Sequence, residues 1–205
     1  KILIEKPIIN YSNKNINALK KICKNDLVFC GYNHSISPAF LYFVRKISLV
    51  RKIKSVQVNW CEGWKGILNA HYWLKNEFDS YLGDYKKGGG SLQEHSHGFH
   101  LLFVIILNVL KLNIKKLKFN SFSIFKKFKN KKYDILSSFT CYYKKMHIEY
   151  NTDLMTTPPK KNIKIFSNNK IYEYQCGYKN KLDIIRIKNL NNKLIFSKKF
   201  KKTRS

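Results

Sequence analysis

Apolar and polar positions follow two different rhythms along this chain, and the change falls near Pro158-Pro159. Before it, short apolar runs alternate with segments of helical spacing. Ile2–Ile9 reads as a strand, and Asn13–Lys24 as a helix through Ile16, Leu19 and Ile22. Asp26–Tyr32 is a short apolar run ending at Gly31, as a buried parallel strand would. Ser37-Pro38 has the form of an N-cap and first helical residue, and Phe40, Leu41, Val44 and Ile47 carry the helix on. Ser55–Trp60 follows as a strand. Trp64, Ile67, Leu68, His71, Leu74, Phe78 and Tyr81 then recur at helical spacing. Gly88-Gly89-Gly90 and its polar neighbours predict a loop over Leu82–Gly98. Phe99–Leu107 reads as a strand, Asn108–Lys118 as a short helix or basic turn, Phe119–Phe125 and Tyr133–Phe139 as two more strands, and Thr140–Tyr150 as a closing helix. This alternation predicts an α/β fold, a flavodoxin-like parallel sheet flanked by helices on both faces.

Beyond Pro159 the pattern becomes strict alternation. Asn168-Asn169 and Asn191-Asn192 each sit between strand-like runs, and Asn tolerates the left-handed backbone that tight hairpins need. Two regions are therefore expected: an α/β core over 1–157, and a basic extension rich in β-hairpins over 158–205.

Composition then changes the picture. The 205 residues hold 40 Lys+Arg against 12 Asp+Glu, a formal net charge of +28. Such a chain repels itself unless a dense negative partner is present, and nucleic acid is the usual one. Only Arg45, Arg51, Arg186 and Arg204 are arginines; lysine acts mainly as a point charge, suited to phosphates more than to bases. The charge is uneven, with 15 basic and 7 acidic residues up to 98, and 25 against 5 after it. Many Ile, Asn, Phe and Tyr beside three Ala fit a very AT-rich genome, typically organellar. Five cysteines without a C-x-x-C spacing read as reduced thiols. The longest apolar run, Phe99–Leu110, is too short to span a bilayer.

Val28–Leu82 resembles the bacterial and organellar family of the second small-subunit ribosomal protein. The family's first strand is matched by Leu27-Val28-Phe29-Cys30-Gly31-Tyr32-Asn33. Its Trp-Gly-Leu-Asn block is matched by Val58-Asn59-Trp60-Cys61-Glu62-Gly63-Trp64-Lys65-Gly66-Ile67-Leu68-Asn69. Weaker strand matches continue at Phe99–Ile105, Leu117–Ile124 and Lys132–Ser138, so the likeness spans roughly residues 15 to 150. The family's N-terminal His- and Gly-rich segment has no match, Gly83–Gly98 is too short for its helical hairpin, and the region after Pro159 has no counterpart.

The resemblance implies a structural constituent of the mitochondrial small ribosomal subunit in the matrix, with a plastid ribosome as the alternative compartment. Its partners would be small-subunit ribosomal RNA and neighbouring ribosomal proteins. It implies no catalysis, catalytic residue, cofactor, metal, membrane or small-molecule substrate. Asn59, Trp64, Lys65 and Asn69 are the RNA-facing candidates in the block. Amides at a helix start can meet a phosphate, and an indole can stack on a base. The competing reading packs Trp60, Trp64 and Trp73 into the core. Lys111, Lys115, Lys116 and Lys118, then Lys126, Lys127, Lys129, Lys131 and Lys132, form an acid-free tract interleaved with phenylalanines. Lys198, Lys199, Lys201 and Lys202 form the tail. These lysines are candidate phosphate contacts.

Other chemistry is thin. Glu94, His95, His97 and His100 hint at a metal site, but a polar loop explains them equally. Lys87-Gly88-Gly89-Gly90-Ser91 lacks the phosphate-loop order and reads as a flexible linker. The alternative function is a nucleotide- or metal-using α/β enzyme of an organelle. A third reading is a basic protein at the surface of an organelle membrane.

Overall fold

The computed structural model describes residues 1–6, 17, 20, 21, 24, 27–178 and 182–201. The helix expected over 13–24 lies almost wholly outside the described residues, as do positions 7–9 of the first expected strand, Cys23 and Lys202. Two short parallel strands, β1 (Ile2–Ile4) and β2 (Val28–Cys30), pair with each other. Next come helix α1 (Pro38–Ile47), strand β3 (Ile53–Cys61) and helix α2 (Trp64–Ala70). After two 3-10 turns, helices α3 (Ser91–Glu94) and α4 (Ser96–Val104) run almost continuously into a π-helical turn, Ile105–Val109. Seven strands follow: β4 (Asn120–Phe128), β5 (Lys131–Tyr143), β6 (Met146–Asp153), β7 (Lys160–Ser167), β8 (Lys170–Tyr178), β9 (Leu182–Asn189) and β10 (Leu194–Lys201).

The α/β class holds, but the large sheet is mixed. Its order is β10-β9-β8-β7-β3-β6-β5-β4, and within it only β3 and β6 run parallel. The expected all-parallel sheet is thus corrected to a mixed one. A parallel sheet covered on both sides needs strands buried on both sides. Here Val56, Val58, Ile148, Tyr150, Ile163 and Ile165 are buried on one face. The residues between them, such as Gln57, Asn59, Glu149, Asn162 and Lys164, stay half-exposed. Strands β7 to β10 continue this sheet, because β7 pairs along β3 from Lys160 to Ser167.

The buried face packs against α1, α4 and the π turn through Phe40, Phe43, Ile47, Leu101, Leu102, Ile105 and Ile106. The start of α1 is as its sequence predicts: Ser37 Oγ accepts from the Phe40 amide at 3.3 Å, with Pro38 in the first turn. Two expectations fail. Phe99–Leu107 is helical, not a strand. A short apolar run is ambiguous by itself, and the pairs Leu101-Leu102 and Ile105-Ile106 recur at the four-residue helical interval. Thr140–Tyr150 is not a helix but the β5–β6 hairpin. Cys141 faces Ile148 and Tyr142 faces His147, and Lys144 turns the chain with φ 54°. Among the described residues, no helix is long and apolar enough to cross a membrane.

Candidate active site

The residues singled out from sequence do not form one surface. Asn59 lies mid-sheet, where its Nδ2 donates to Asn162 Oδ1 at 3.2 Å. Trp64 packs edge-on against Tyr133 and donates its indole N–H to the Tyr133 hydroxyl at 3.1 Å, beside buried Ile67, Leu82 and Leu154. It is a core residue, its one donor already used. Lys65 and Asn69 are exposed on α2. Lys111 and Lys118 flank the turn that holds Lys115 and Lys116. Lys126 and Lys127 lie on β4, Lys129 in the turn after it, and Lys131 and Lys132 at the start of β5. Lys198, Lys199 and Lys201 lie on β10. Strands β4 and β10 are the two opposite edges of the sheet. Lysines there blunt edge-to-edge strand pairing, a role that needs no nucleic acid.

A different set of residues converges where β1 and β2 end. Gly31 N–H donates to the Ile4 carbonyl at 2.9 Å, so the chain leaves both strands on the same side. Glu5 and Lys6 follow β1; Tyr32 and His34 follow β2. The helical segment over α3 and α4 presents Glu94, His97 and His100 to these ends, three residues apart and so on one face. Lys6 Nζ donates to the Glu94 carbonyl and to Glu94 Oε2, both at 2.9 Å, with side-chain exposures of 15% and 16%. Two of the three ammonium donors are thereby spoken for. His97 lies edge-on to Tyr32 at 5.6 Å and tilted against His34 at 4.6 Å; His100 stacks on Tyr32 at 4.3 Å. His34 meets Trp60 edge-on, and its Nδ1 is 3.7 Å from Cys176 Sγ. Burial pushes the pKa of His100 down, so its neutral form is favoured. Ser96 Oγ and His100 Nδ1 are buried with no hydrogen-bond partner among the described residues.

The helical segment is pinned at its start. Asp134 Oδ2 accepts from Ser91 Oγ at 2.6 Å, from the Leu92 amide at 2.9 Å and from Ser137 Oγ at 2.9 Å. The preceding glycines are buried rather than flexible: Gly88 and Gly90 have φ of 88° and 103°. A Cβ on Gly89 would meet the carbonyls of Tyr81 and Leu82. The linker reading is corrected accordingly. Further on, Gly98 lets α4 approach Trp60, where an added Cβ would lie 2.5 Å from the Trp60 Cβ. The histidines do not gather as a metal site. His95 points away from His97, buried at 3% exposure with Nε2 3.4 Å from the Glu62 carbonyl, and its own carbonyl accepts from the Tyr150 hydroxyl at 2.8 Å.

Burial, aided by the nearby Lys161 charge, pushes the His95 pKa from 6.5 down to about 3. The unfolded chain takes up this proton near its ordinary value and the folded chain does not. Its contribution to stability is therefore present above pH 6.5 and is lost as pH falls toward 3. Urea unfolding at stepped acidic pH should show a steeper loss in the natural protein than in His95→Leu, by at most about 1.4 kcal/mol per pH unit. Equal slopes would assign the acid sensitivity to other groups.

No protein-family model matches the chain, and no curated protein matches it. Solved structures do. An inositol dehydrogenase homologue from Azotobacter vinelandii, complexed with NAD+, superposes with a TM-score of 0.65 at 11% identity, covering 97% of this chain and 50% of that one. The UDP-N-acetylglucosamine 3-dehydrogenase of Acidithiobacillus ferrooxidans gives 0.59 at 10% identity, covering 99% and 56%. The WlbA dehydrogenase of Bordetella pertussis, in complex with NADH and UDP-GlcNAcA, gives 0.59 at 13%, covering 99% and 56%. The fold is that of these dehydrogenase chains. This chain spans about half their length.

That likeness overturns the ribosomal-protein resemblance, and with it the expectation of a non-catalytic structural constituent. Ribosomal RNA and ribosomal proteins as partners, and the absence of a small-molecule substrate, are corrected on the same finding. The Asn59–Asn69 block that carried the resemblance is a β-strand, a tight turn and a short helix whose tryptophans serve the core. The alternative expectation, a nucleotide- or metal-using α/β enzyme, is compatible with this fold. Sequence reasoning missed Lys6 altogether and met Glu94 and His97 only as metal candidates. The available signal was a lysine just past an apolar strand and polar residues recurring every third position from Glu94 to His100.

Proposed function

We propose that this chain forms the substrate-facing half of a nicotinamide-dependent dehydrogenase acting on a hydroxyl group of a polyol or nucleotide-linked sugar. The observation that carries the reading is the Lys6–Glu94 ion pair at the carboxyl ends of a parallel strand pair, with His97 one turn further along the same helical face and packed on Tyr32 and His34. Open α/β sheets bind ligands outside the carboxyl ends of their strands. The similar chains that hold NAD+, NADH with myo-inositol, or NADH with UDP-GlcNAcA suggest the cofactor and substrate classes. We read β1 and β2 as part of a larger doubly wound parallel sheet. A two-stranded parallel pair is too small to stand alone, and Ile2, Leu3 and Phe29 are 60%, 65% and 50% exposed.

The residues present fit one end of such a cofactor. A cleft of about 590 Å³ beside the site is lined by Leu3, Val28, Phe29, Gly31, Tyr32, Ile36 and His100, among others. Its apolar walls, the His100 ring and the polar side chains of Asn33 and Ser35 suit a planar amide-bearing ring. The pyrophosphate is another matter, because the chain contains no G-x-G-x-x-G. When bound, the ring supplies the acceptor for a hydride from the substrate carbon. The remaining Lys6 N–H holds the substrate hydroxyl oxygen, and an imidazole nitrogen of His97 takes up its proton. Glu94 fixes the Lys6 ammonium in place. Tyr32 and His34 pack against the His97 ring and limit its rotation.

The whole natural protein, incubated with NAD+ and a panel of polyols and nucleotide sugars, should generate the near-ultraviolet absorbance of the reduced nicotinamide with at least one of them. No reduction with any member of the panel, by protein shown to be folded, would refute the proposal.

A further inference from the structure

At the far end of β3 from Lys6, two adjoining clefts share Val50, Arg51, Lys52 and Asn168. Nine residues of β3 separate the ends, roughly 25 Å at the rise of a strand. One cleft, of about 410 Å³, continues along the β7–β8 turn to Lys170 and Tyr172. The other, of about 490 Å³, continues to Lys54, Val109, Leu110, Leu112 and the β5–β6 turn from Tyr143 to Met146. The lining supplies six cations, Arg51, Lys52, Lys54, Lys144, Lys145 and Lys170, and no carboxylate. Among the described residues, ion pairs engage Lys6, Lys126, Lys161, Lys164 and Lys188 and none of these six.

Charge alone is common on this protein, so shape and lining decide. The basic edges of β4 and β10 belong to strands. Here cations of one sign surround a concave surface, which focuses their field and raises the local concentration of anions. Arg51 adds a planar fork able to take two phosphate oxygens. Beneath the cations lie Val109, Leu110, Leu112 and Met146, an apolar floor of which inorganic phosphate alone would make no use. Each volume falls in the range of small-molecule sites. The β5–β6 turn has a fixed form, with Lys144 at φ 54°, so Lys144 and Lys145 are presented by a tight hairpin and not by a loose loop.

We propose that the joined clefts bind a small soluble phosphate ester carrying an apolar or aromatic group, the phosphate held by Arg51 and Lys52 and the apolar part set on the Leu112–Met146 floor. This site is independent of the dehydrogenase reading.

Calorimetric titration of the protein with 1-naphthyl phosphate, at about 0.15 M ionic strength, tests it. Inorganic phosphate and 1-naphthol serve as the half-ligands. Saturable binding of the ester, tighter than either half, is expected. Arg51→Ala/Lys52→Ala should weaken it by about tenfold or more, whereas the charge-matched Lys198→Ala/Lys199→Ala should leave it nearly unchanged. Lys144→Ala/Lys145→Ala repeats the test at the turn in case the first pair fails to fold. Equal weakening by the edge-strand pair overturns the proposal, as does an ester that binds no better than inorganic phosphate. So does binding to phosphatidylserine-containing vesicles without saturable binding of the soluble ester.

Discussion

Lys6→Met should lower kcat by about 10²- to 10³-fold, the cost of removing one hydrogen-bond donor from the reacting oxygen, with a much smaller change in KM. Methionine nearly matches the length of lysine but cannot donate to a substrate oxygen. The substitution also strands the Glu94 carboxylate, only 16% exposed, and a buried charge left unpaired costs about 1–3 kcal/mol. Lost stability and lost chemistry therefore need separating. Lys6→Met/Glu94→Gln removes both charges and should recover much of the unfolding midpoint while leaving kcat low. Lys6→Arg keeps the charge but replaces a compact ammonium by a planar fork, so it should stay well below the natural rate despite near-natural stability. Steady-state kinetics and thermal melts on the set decide the matter. If Lys6→Met turns over within a few-fold of the natural protein, Lys6 is a structural cation and does not hold the substrate oxygen.

The sequence made parts of this fold readable and hid its site for a physical reason. α1 was legible because its start is chemically punctuated: Ser37 caps and Pro38 fixes φ; of its expected apolar positions, Phe40 and Ile47 are buried, whereas Leu41 is exposed and Phe43 takes its place in the core. β3 was legible from the alternation of Val56, Val58 and Trp60, and β4 and the first half of β5 from similar runs. The Phe99–Leu110 run was misread because nearly every position in it is apolar, so the four-residue recurrence of Leu101-Leu102 and Ile105-Ile106 does not stand out. The β5–β6 hairpin was misread because its turn, Lys144-Lys145, carries no glycine or asparagine, and the positive φ at Lys144 cannot be seen in a lysine. Parallel strands were inferred from strand-helix alternation, yet adjacency in the sheet depends on contacts such as β3 with β7, which no local pattern encodes. The site is the extreme case. Lys6 and Glu94 are 88 positions apart, and their pairing depends on a glycine turn, an aspartate on β5 and the end of a two-stranded pair. The lysine excess, the loudest signal in the composition, mostly decorates strand edges and turns and says little about chemistry.

Gly90→Ala should be strongly destabilising, by about 3 kcal/mol, with a fall in melting temperature of roughly 6–12 °C for a protein of this size. Two costs coincide. Gly90 has φ 103° and ψ 170°, a region essentially reserved for glycine. Its Cβ would also overlap Asp134 Oδ1 and approach the Asp134 amide within 3.2 Å. Asp134 is 3% exposed and cannot step aside without releasing Ser91, Leu92 and Ser137. Gly177→Ala supplies the comparison. It too has positive φ, 69°, but a Cβ there meets nothing within 4 Å, so strain alone applies and about 1 kcal/mol is expected. The difference between the two variants in urea unfolding measures the clash with Asp134. Because that carboxylate holds the start of the helix bearing Glu94, Gly90→Ala should also depress turnover below the unfolding transition, whereas Gly177→Ala should not. Similar stability losses in both variants would mean that Asp134 yields readily, and that the glycine turn does not set the position of Glu94.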